Sequence, residues 1–229
     1  MNFGQDFKKY ATGHVGMSSL YVDDYVNNSL ITTGSMTPYI LEEREMRMTQ
    51  MDIFSRLMKD RIIWLAGEVN DNMSTIVQAQ LMYLNSVDPK KAITLHIDSP
   101  GGSVKSGLSM VDVMQYIDND IHTINTGMAA SMGSVLLGAG TKGKRSSLRF
   151  SRTMIHQPMT GFNSYAQASD MEIEAKEINS LKKELYEIIS DNTGQAYDKV
   201  YKDGDRDYWM TAQDAKKYGM VDEIILKRK

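Results

Sequence analysis

From Met51 onward, apolar and polar residues recur with the spacings of helices and strands in turn. The predicted strands cover residues 61–65, 93–97, 121–124 and 152–156, with a last one before residue 226. The predicted helices cover residues 53–58, 73–84, 108–117, 129–137 and 167–191, with a short one after residue 209. Strands that alternate with helices predict an α/β domain with a largely buried sheet.

Residues 1–49 differ from the rest because they mix Gly, Ser, Thr, Asn and charged residues without sustained periodicity. This pattern is typical of a flexible arm or a removable leader. The charged stretch 41–47 predicts at most one turn of helix, since it has little apolar surface to bury. The interpretation is therefore an N-terminal arm or propeptide at residues 1–49 and one domain at residues 50–229.

Composition narrows the function classes. The 229 residues hold 26 Lys and Arg against 29 Asp and Glu, so the formal charge of −3 disfavours a generic nucleic-acid binder. The absence of cysteine excludes disulfides, thiolate nucleophiles and cysteine-ligated metals. No apolar run is long enough for a membrane span, and the N-terminus has no signal-peptide pattern. These features predict a cytoplasmic protein without a membrane segment.

Two strand-to-helix junctions have residues suited to catalysis. The run Ser-Pro-Gly-Gly at residues 99–102 follows a strand, and its glycines permit a backbone N–H to face an open site. Ser131 stands between small residues at the predicted start of a helix, as a nucleophile does at a sharp turn. Each junction has an ordinary alternative: a tight turn for residues 99–102, and close helix packing for Ser131.

A serine nucleophile needs a base to accept its proton and a carboxylate to orient that base. His156 lies at a strand end and is the candidate base, although a lone strand-end histidine is more often structural. Asp203, Asp205 and Asp207 are candidate acids in one charged segment, which is otherwise a solvated loop. The residues alone do not choose among the three.

The run Gly-Ala-Gly-Thr-Lys-Gly at residues 138–143 matches the dinucleotide-binding pattern in letters only. It follows a predicted helix, no helix opens from it, and the next residues are polar and basic. Dinucleotide binding is therefore not expected.

In combination, the motifs at residues 99–102, 127–133 and 154–158 and the Asp-Arg-Asp at residues 205–207 resemble the Clp protease proteolytic subunit family, ClpP. The resemblance runs from about residue 51 to residue 225. It implies a ClpP/crotonase-like fold of repeated ββα units in a superhelix, with a protruding handle helix at about residues 163–191. Residues before the domain would form the family's axial segment.

Residue by residue, the resemblance implies Ser131 as nucleophile, His156 as general base and Asp207 as the acid. The backbone N–H groups of Gly102 and Met132 would form the oxyanion hole. The resemblance further implies that a strand beginning at Ser103 and Val104 pairs with the substrate backbone, and that Pro158 contacts substrate. The site would hold no metal.

The family is a serine endopeptidase that degrades unfolded polypeptides inside a chamber of two stacked heptameric rings. A hexameric Clp-type ATPase feeds the chamber, so the subunit itself would need no cofactor and ATP use belongs to the partner. No nucleic-acid or membrane partner is implied.

The chain departs from the family pattern at contact surfaces. Two extra residues lie between His156 and Asp170, Asp98 replaces the usual Asn, and the proline usual before the histidine strand is missing. Thr94 and His96 stand where aromatic residues usually line the ATPase docking pocket, and only Tyr116 remains aromatic.

Two other function classes fit parts of the pattern. A structural or regulatory paralogue in a mixed ring fits the departures at contact surfaces. An enoyl-CoA hydratase-like enzyme shares the fold, but it predicts glutamates at the active-site positions rather than Ser131 and His156.

Overall fold

The structure is a computed structural model that describes residues 39–44, 47–161 and 167–226. It divides into two compact units, Met1–Arg56 and Leu57–Lys229. Most of the predicted arm, residues 1–38, and the first part of the predicted handle, residues 163–166, lie outside the described residues.

In the first unit, strands β1 (Tyr39–Arg44) and β2 (Arg47–Asp52) form an antiparallel hairpin with Arg44 opposite Arg47. The turn of helix predicted for residues 41–47 is therefore wrong. So short a helix gains few internal hydrogen bonds, whereas pairing two strands satisfies the backbone groups along both of them. Strand β2 also runs across the predicted boundary between residues 49 and 50.

The remaining strands are β3 (Ile62–Ala66), β4 (Ile93–Ser99), β5 (Ile121–Ala130), β6 (Arg145–Leu148), β7 (Arg152–Ile155), β8 (Tyr208–Thr211) and β9 (Glu223–Ile225). The helices are α1 (Ile53–Lys59), α2 (Asp71–Val87), α3 (Val104–Tyr116), α4 (Met132–Gly138), α5 (Ala168–Thr193), α6 (Tyr197–Asp203) and α7 (Ala212–Tyr218). Helices and strands alternate over most of this unit, so the predicted α/β class is confirmed.

These seven strands form one sheet in the order β3-β4-β5-β6-β9, and β7 adds beside β5 and pairs with β8. Every pair is parallel except β7 with β8. The long strand β5 pairs first with β6 and then, nearer its end, with β7. The end of β5 therefore lies beside β7, and this is where the functional side chains meet.

The core consists of apolar side chains from the sheet and the helices that cover it. Leu65, Leu95 and Ile97 are fully buried on the strands, and Leu81 and Leu136 are buried on the helices. Within the part of the chain that the structure describes, no helix is both long and apolar enough to cross a membrane.

Helix α5 matches the predicted handle helix and keeps that name below. It ends at Gly194, whose φ of 74° is the left-handed conformation typical of a helix C-terminus. Most side chains of its first half are exposed, whereas Leu185, Tyr186 and Ile189 in the second half are buried. The second half of the helix is therefore packed into the core, and most of the first half is exposed to solvent.

Several elements of this unit differ from the predictions, among them strand β8, which occupies residues 208–211 where the short helix was predicted to begin. Strand β5 continues to Ala130, so the helix predicted from residue 129 begins only at Met132. Strand β6 and helix α6 were not predicted, because β6 is the polar run Arg-Ser-Ser-Leu and α6 has a single buried residue, Val200. Polar strands buried by their neighbours leave no apolar alternation in the sequence.

Candidate active site

Ser131 occupies a strained turn between strand β5 and helix α4. Its φ of 53° and ψ of −124° are unusual for a residue other than glycine, which costs on the order of 1–3 kcal/mol. The backbone N–H of Ser131 donates to the carbonyl of Met154 at 2.9 Å, and the Ser134 hydroxyl donates to the Ser131 carbonyl at 2.7 Å. These contacts hold the turn that presents the hydroxyl.

His156 and Asp207 come together through strand pairing. Strands β7 and β8 are antiparallel, and Ile155 is opposite Tyr208 in their last pair. His156 follows Ile155 and Asp207 precedes Tyr208, so the same register brings the two side chains to one end of the pair.

The three predicted catalytic side chains form one hydrogen-bonded series. His156 Nε2 is 2.8 Å from Ser131 Oγ, and His156 Nδ1 is 2.9 Å from Asp207 Oδ1. The histidine side chain is mostly buried at 13% exposure, whereas that of Asp207 is 60% exposed. Asp205 contacts the site through its backbone carbonyl, which accepts a hydrogen bond from Gln157 Nε2 at 2.7 Å.

The Pro-Gly-Gly turn lies against the backbone that follows Ser131. A Cβ atom at Gly101 would lie 2.6 Å from Ser131 Cβ and 2.9 Å from Met132 N, so only glycine fits there. Gly102 has a φ of 148°, and a Cβ there would overlap the carbonyl oxygen of Val69. The turn thus requires both glycines.

Gly102 is exposed, and its N–H is left out of the turn's own hydrogen bonds. Val69 N donates to the Gly101 carbonyl at 2.8 Å, and Ser103 N donates to the Val69 carbonyl at 2.8 Å. Neither bond uses the Gly102 N–H. Met132 is the first residue of helix α4, where backbone N–H groups have no partner within the helix.

The strand predicted from Ser103 and Val104 is wrong. Val104 begins helix α3, and Ser103 is its N-cap, whose side chain accepts a hydrogen bond from Ser106 N. The Ser103 carbonyl also accepts from Gly107 N at 3.0 Å. A serine followed by a helix-forming run satisfies the helix start in this way, so Ser103 and Val104 form a helix start instead of a strand.

Two side chains at the end of the preceding strand β4 stabilise the surroundings of the turn. Ser99 Oγ donates to the Gly67 carbonyl at 2.6 Å and accepts from Gly101 N at 3.1 Å. Asp98 Oδ1 accepts from Met128 N at 2.9 Å. The aspartate that departs from the family pattern therefore connects the ends of β4 and β5.

A small open pocket adjoins Ser131 and His156. Val104 and Pro158, both predicted to contact substrate, lie in its wall. The rest of the lining is mostly apolar: Met132, Val135, Ile155, Leu185 and Ile189, with Ser134. The contributions of Leu185 and Ile189 from the handle helix were not predicted. Their apolar spacing marks a helix face but does not show what that face covers.

The other described histidines lie away from this series. His96 stacks on Trp64 with 4.7 Å between ring centroids, and burial lowers the pKa of His96. Burial and the Lys144 charge likewise lower the pKa of His122. Among the described residues, no group of three or more His, Asp or Glu side chains is arranged to hold a metal ion.

The α/β sheet, the strained serine turn and the Ser131–His156–Asp207 series define the class of a serine hydrolase. The Clp protease family model matches residues 43–228. The chain belongs to the Clp protease family, and the serine peptidase class predicted from the sequence is confirmed.

Similarity to individual relatives extends over nearly the whole chain. An ATP-dependent Clp protease proteolytic subunit of Bacteroides fragilis strain YCH46 is 58% identical, over 97% of this chain and 99% of the relative. The subunit of the same description from Porphyromonas gingivalis strain W83 is 54% identical, over 98% and 99%. The resemblance seen from about residue 51 therefore also includes most of the N-terminal arm.

Proposed function

We propose that this chain is the proteolytic subunit of an ATP-dependent Clp protease, with Ser131 as nucleophile, His156 as general base and Asp207 as the orienting acid. The observation that carries the proposal is the position of His156, whose two ring nitrogens lie within hydrogen-bond reach of the other two side chains. That arrangement is what nucleophilic hydrolysis by a serine requires.

In the proposed reaction, Asp207 accepts the Nδ1–H of His156, which leaves Nε2 free to accept the Ser131 proton. Ser131 Oγ attacks the peptide carbonyl as that proton moves to Nε2. The tetrahedral intermediate collapses when His156 returns the proton to the leaving amine. Water then hydrolyses the acyl-enzyme by the same proton transfers, which regenerates the Ser131 hydroxyl.

The proposed oxyanion hole consists of the N–H groups of Gly102 and Met132. The close approach of Gly101 to the Met132 nitrogen and the uncommitted N–H of Gly102 support it. Such donors stabilise charge that develops in the transition state, and one of them is worth about 10²–10³ in rate.

The apolar pocket is proposed to hold a substrate side chain beside the scissile bond. Val104 and Pro158 contribute to its wall, and its mostly apolar lining favours an apolar side chain. Ser103 acts through the helix cap instead of pairing with substrate, so backbone recognition is assigned to Gly102.

ATP use is assigned to a partner. The run at residues 138–144 has the glycine and lysine spacing of a phosphate-binding loop, but Arg145 stands where Ser or Thr is needed. The run also begins at the last residue of helix α4 and leads into strand β6, whereas a phosphate-binding loop follows a strand and opens a helix. The relatives described above are proteolytic subunits of ATP-dependent Clp proteases. A hexameric Clp-type ATPase is the proposed partner, and the subunit is proposed to work without a cofactor of its own.

The proposed assembly is two stacked heptameric rings that enclose the active sites, in the cytoplasm. The largely exposed first half of the handle helix supports a contact between rings. The proposed docking surface for the ATPase includes Thr94, His96 and Tyr116. Trp64 stacks on His96 and is 42% exposed, so it supplies an aromatic side chain to this surface. The residues at positions 94 and 96 alone did not indicate it.

Residues 1–49 are proposed to include a removable arm followed by the axial segment. Self-processing requires the active serine, so the intact mass of the natural protein should fall below that of Ser131→Ala. Identical full-length masses would contradict self-processing and leave the peptidase proposal unaffected.

Cleavage of a small fluorogenic peptide with an apolar residue before the scissile bond tests the proposed activity. Native mass measurement on the same samples establishes whether the rings have assembled. Assembled natural protein should cleave the peptide and assembled Ser131→Ala should not. Assembled natural protein without cleavage would instead favour a structural or regulatory subunit.

A further inference from the structure

The loop that carries Asp207 is held at two backbone carbonyls before the aspartate. Tyr186 Oη donates to the Gly204 carbonyl at 2.6 Å, and Gln157 Nε2 donates to the Asp205 carbonyl at 2.7 Å. Burial raises the pKa of the Tyr186 hydroxyl well above its usual value, which keeps it protonated as a donor. The exposed Asp207 carboxylate therefore depends on its loop for its position.

Gln157 links the base directly to this loop, because it follows His156 in the chain. Its side-chain amide has a donor end and an acceptor end, and a rotated amide would place an oxygen against the Asp205 carbonyl. Lys182 Nζ donates to Gln157 Oε1 at 3.0 Å. A cation at the oxygen end sets the amide so that its NH₂ group faces the carbonyl.

Lys182 is itself restrained on the handle helix. Its ammonium lies 4.4 Å from the Tyr201 ring centroid and 5.7 Å from that of Tyr186. Both distances are in the range of cation–π attraction, and the lysine is only partly exposed. The series Lys182–Gln157–Asp205 thus connects a helix, the base and the loop of the acid through atoms with fixed donor and acceptor roles.

We propose that Gln157 is a positioning residue for peptide hydrolysis, which Lys182 orients so that it holds the Asp207 loop in register with His156. The inference rests on the proposed function and extends it to side chains that do not touch the reacting atoms.

The substitution Gln157→Glu keeps the shape and the acceptor for Lys182 but removes the donor to the Asp205 carbonyl. It should lower kcat for the fluorogenic peptide about tenfold with KM nearly unchanged, because the loss affects alignment and not substrate binding. Lys182→Met should lower kcat by roughly three- to fivefold, and Lys182→Arg should restore most of it. Lys183→Met is the matched control, since Lys183 is 69% exposed on the same helix and should leave kcat unchanged.

A double substitution separates positioning from general destabilisation. If Gln157 acts through Asp207, adding Gln157→Glu to Asp207→Asn should cause no further loss in the rate of fluorophosphonate labelling. Native mass measurement and thermal unfolding identify any variant that fails to assemble. The Lys182 variants provide the test if Gln157→Glu is among those.

Two results would overturn the inference while the natural protein is active: full kcat in both Gln157→Glu and Lys182→Met, or losses that multiply with that of Asp207→Asn. Assembled natural protein that neither cleaves nor labels would refute the proposed function, and this inference with it. The activity of the natural protein therefore distinguishes failure of the Gln157 inference from failure of the proposed function.

Discussion

His156 and Asp207 stand opposite each other one position beyond the last residue pair of strands β7 and β8. The antiparallel register places Ile155 opposite Tyr208. The next residues, His156 and Asp207, contact each other through Nδ1 and Oδ1 at 2.9 Å. Strand pairing thus brings the base and the acid to one end of the sheet, and the hydrogen bonds that hold the loop before Asp207 complete their alignment.

The substitution Asp207→Asn tests the orienting role of the acid. An amide keeps the shape but stabilises the wrong tautomer and no longer supports the imidazolium, so kcat should fall by about 10³–10⁴. Steady-state cleavage of the fluorogenic peptide measures this loss. Asp198→Asn, at an exposed position on the helix before the same loop, is the control and should keep full activity. A loss below tenfold in assembled Asp207→Asn would argue against the assigned role.

The substitution Gly102→Ala tests the oxyanion turn. The added Cβ would overlap the Val69 carbonyl and force the turn to shift, so cleavage should fall by about 10² or more. Gly143→Ala is a matched control, because Gly143 has a φ of 87° but no atom within 4 Å of an added Cβ. Gly143→Ala should cost about 1–2 kcal/mol of stability and leave kcat unchanged. Equal kcat in the two variants would contradict the oxyanion assignment.

Removing one partner of the ion pair between the buried Arg145 and the partly exposed Asp222 should be strongly destabilising. Arg145 Nη2 lies 2.6 Å from Asp222 Oδ1, and the arginine side chain is 4% exposed. Asp222→Asn leaves that cation without its partner and should cost about 3 kcal/mol, or roughly 6–12 °C in Tm. The exposed pair Lys144–Asp120 is the control, since solvent screens its charges and Asp120→Asn should change Tm only slightly. Thermal unfolding with similar losses for both variants would contradict this view of the core.

The same pair predicts an acid dependence of stability. Burial of the Asp222 carboxyl opposes ionisation, but the hydrogen bonds and charge of Arg145 outweigh it and hold its pKa below the ordinary 3.8. A carboxyl with a lowered folded-state pKa stabilises the fold above that ordinary value, and the contribution is lost as the pH falls through the folded-state pKa. Stability should therefore decline more steeply below about pH 4 in the natural protein than in Asp222→Asn.

His96 predicts a second pH dependence, nearer neutrality. Because burial lowers the pKa of His96 from 6.5, the unfolded chain binds the proton more tightly, and stability should fall as the pH drops below 6.5. His96→Phe keeps a ring to stack on Trp64 and cannot protonate, so Tm should depend less on pH between 7.5 and 5.5. Thr94→Val, on the same strand, should keep the natural slope. If Tm of His96→Phe depends on pH as steeply as Tm of the natural protein, the attribution of this pH dependence to His96 is contradicted.

The sequence predicted the parts of this site whose backbone conformation depends only on residues close together in the chain. The glycines at residues 101 and 102 and the small residues around Ser131 mark their turns directly, because a side chain would clash there. Asp207 could not be selected over Asp203 and Asp205 from the residues alone. That choice depends on the register between β7 and β8, which no local pattern contains.

The unpredicted features share one physical cause, which is that their stabilising partners are distant in the chain. Strand β6 is polar, and Arg145 within it is buried because Asp222 pairs with it. Gln157 gains its role only through Lys182, which the fold brings from the handle helix.

Covalent labelling by a fluorophosphonate tests the central claim most directly. Peptide mass mapping of the assembled natural protein should locate one adduct on Ser131, and His156→Gln should slow the labelling by orders of magnitude because the proton acceptor is lost. An assembled protein that labels at another residue, or that labels at Ser131 equally fast in His156→Gln, would contradict the proposed Ser131–His156–Asp207 mechanism.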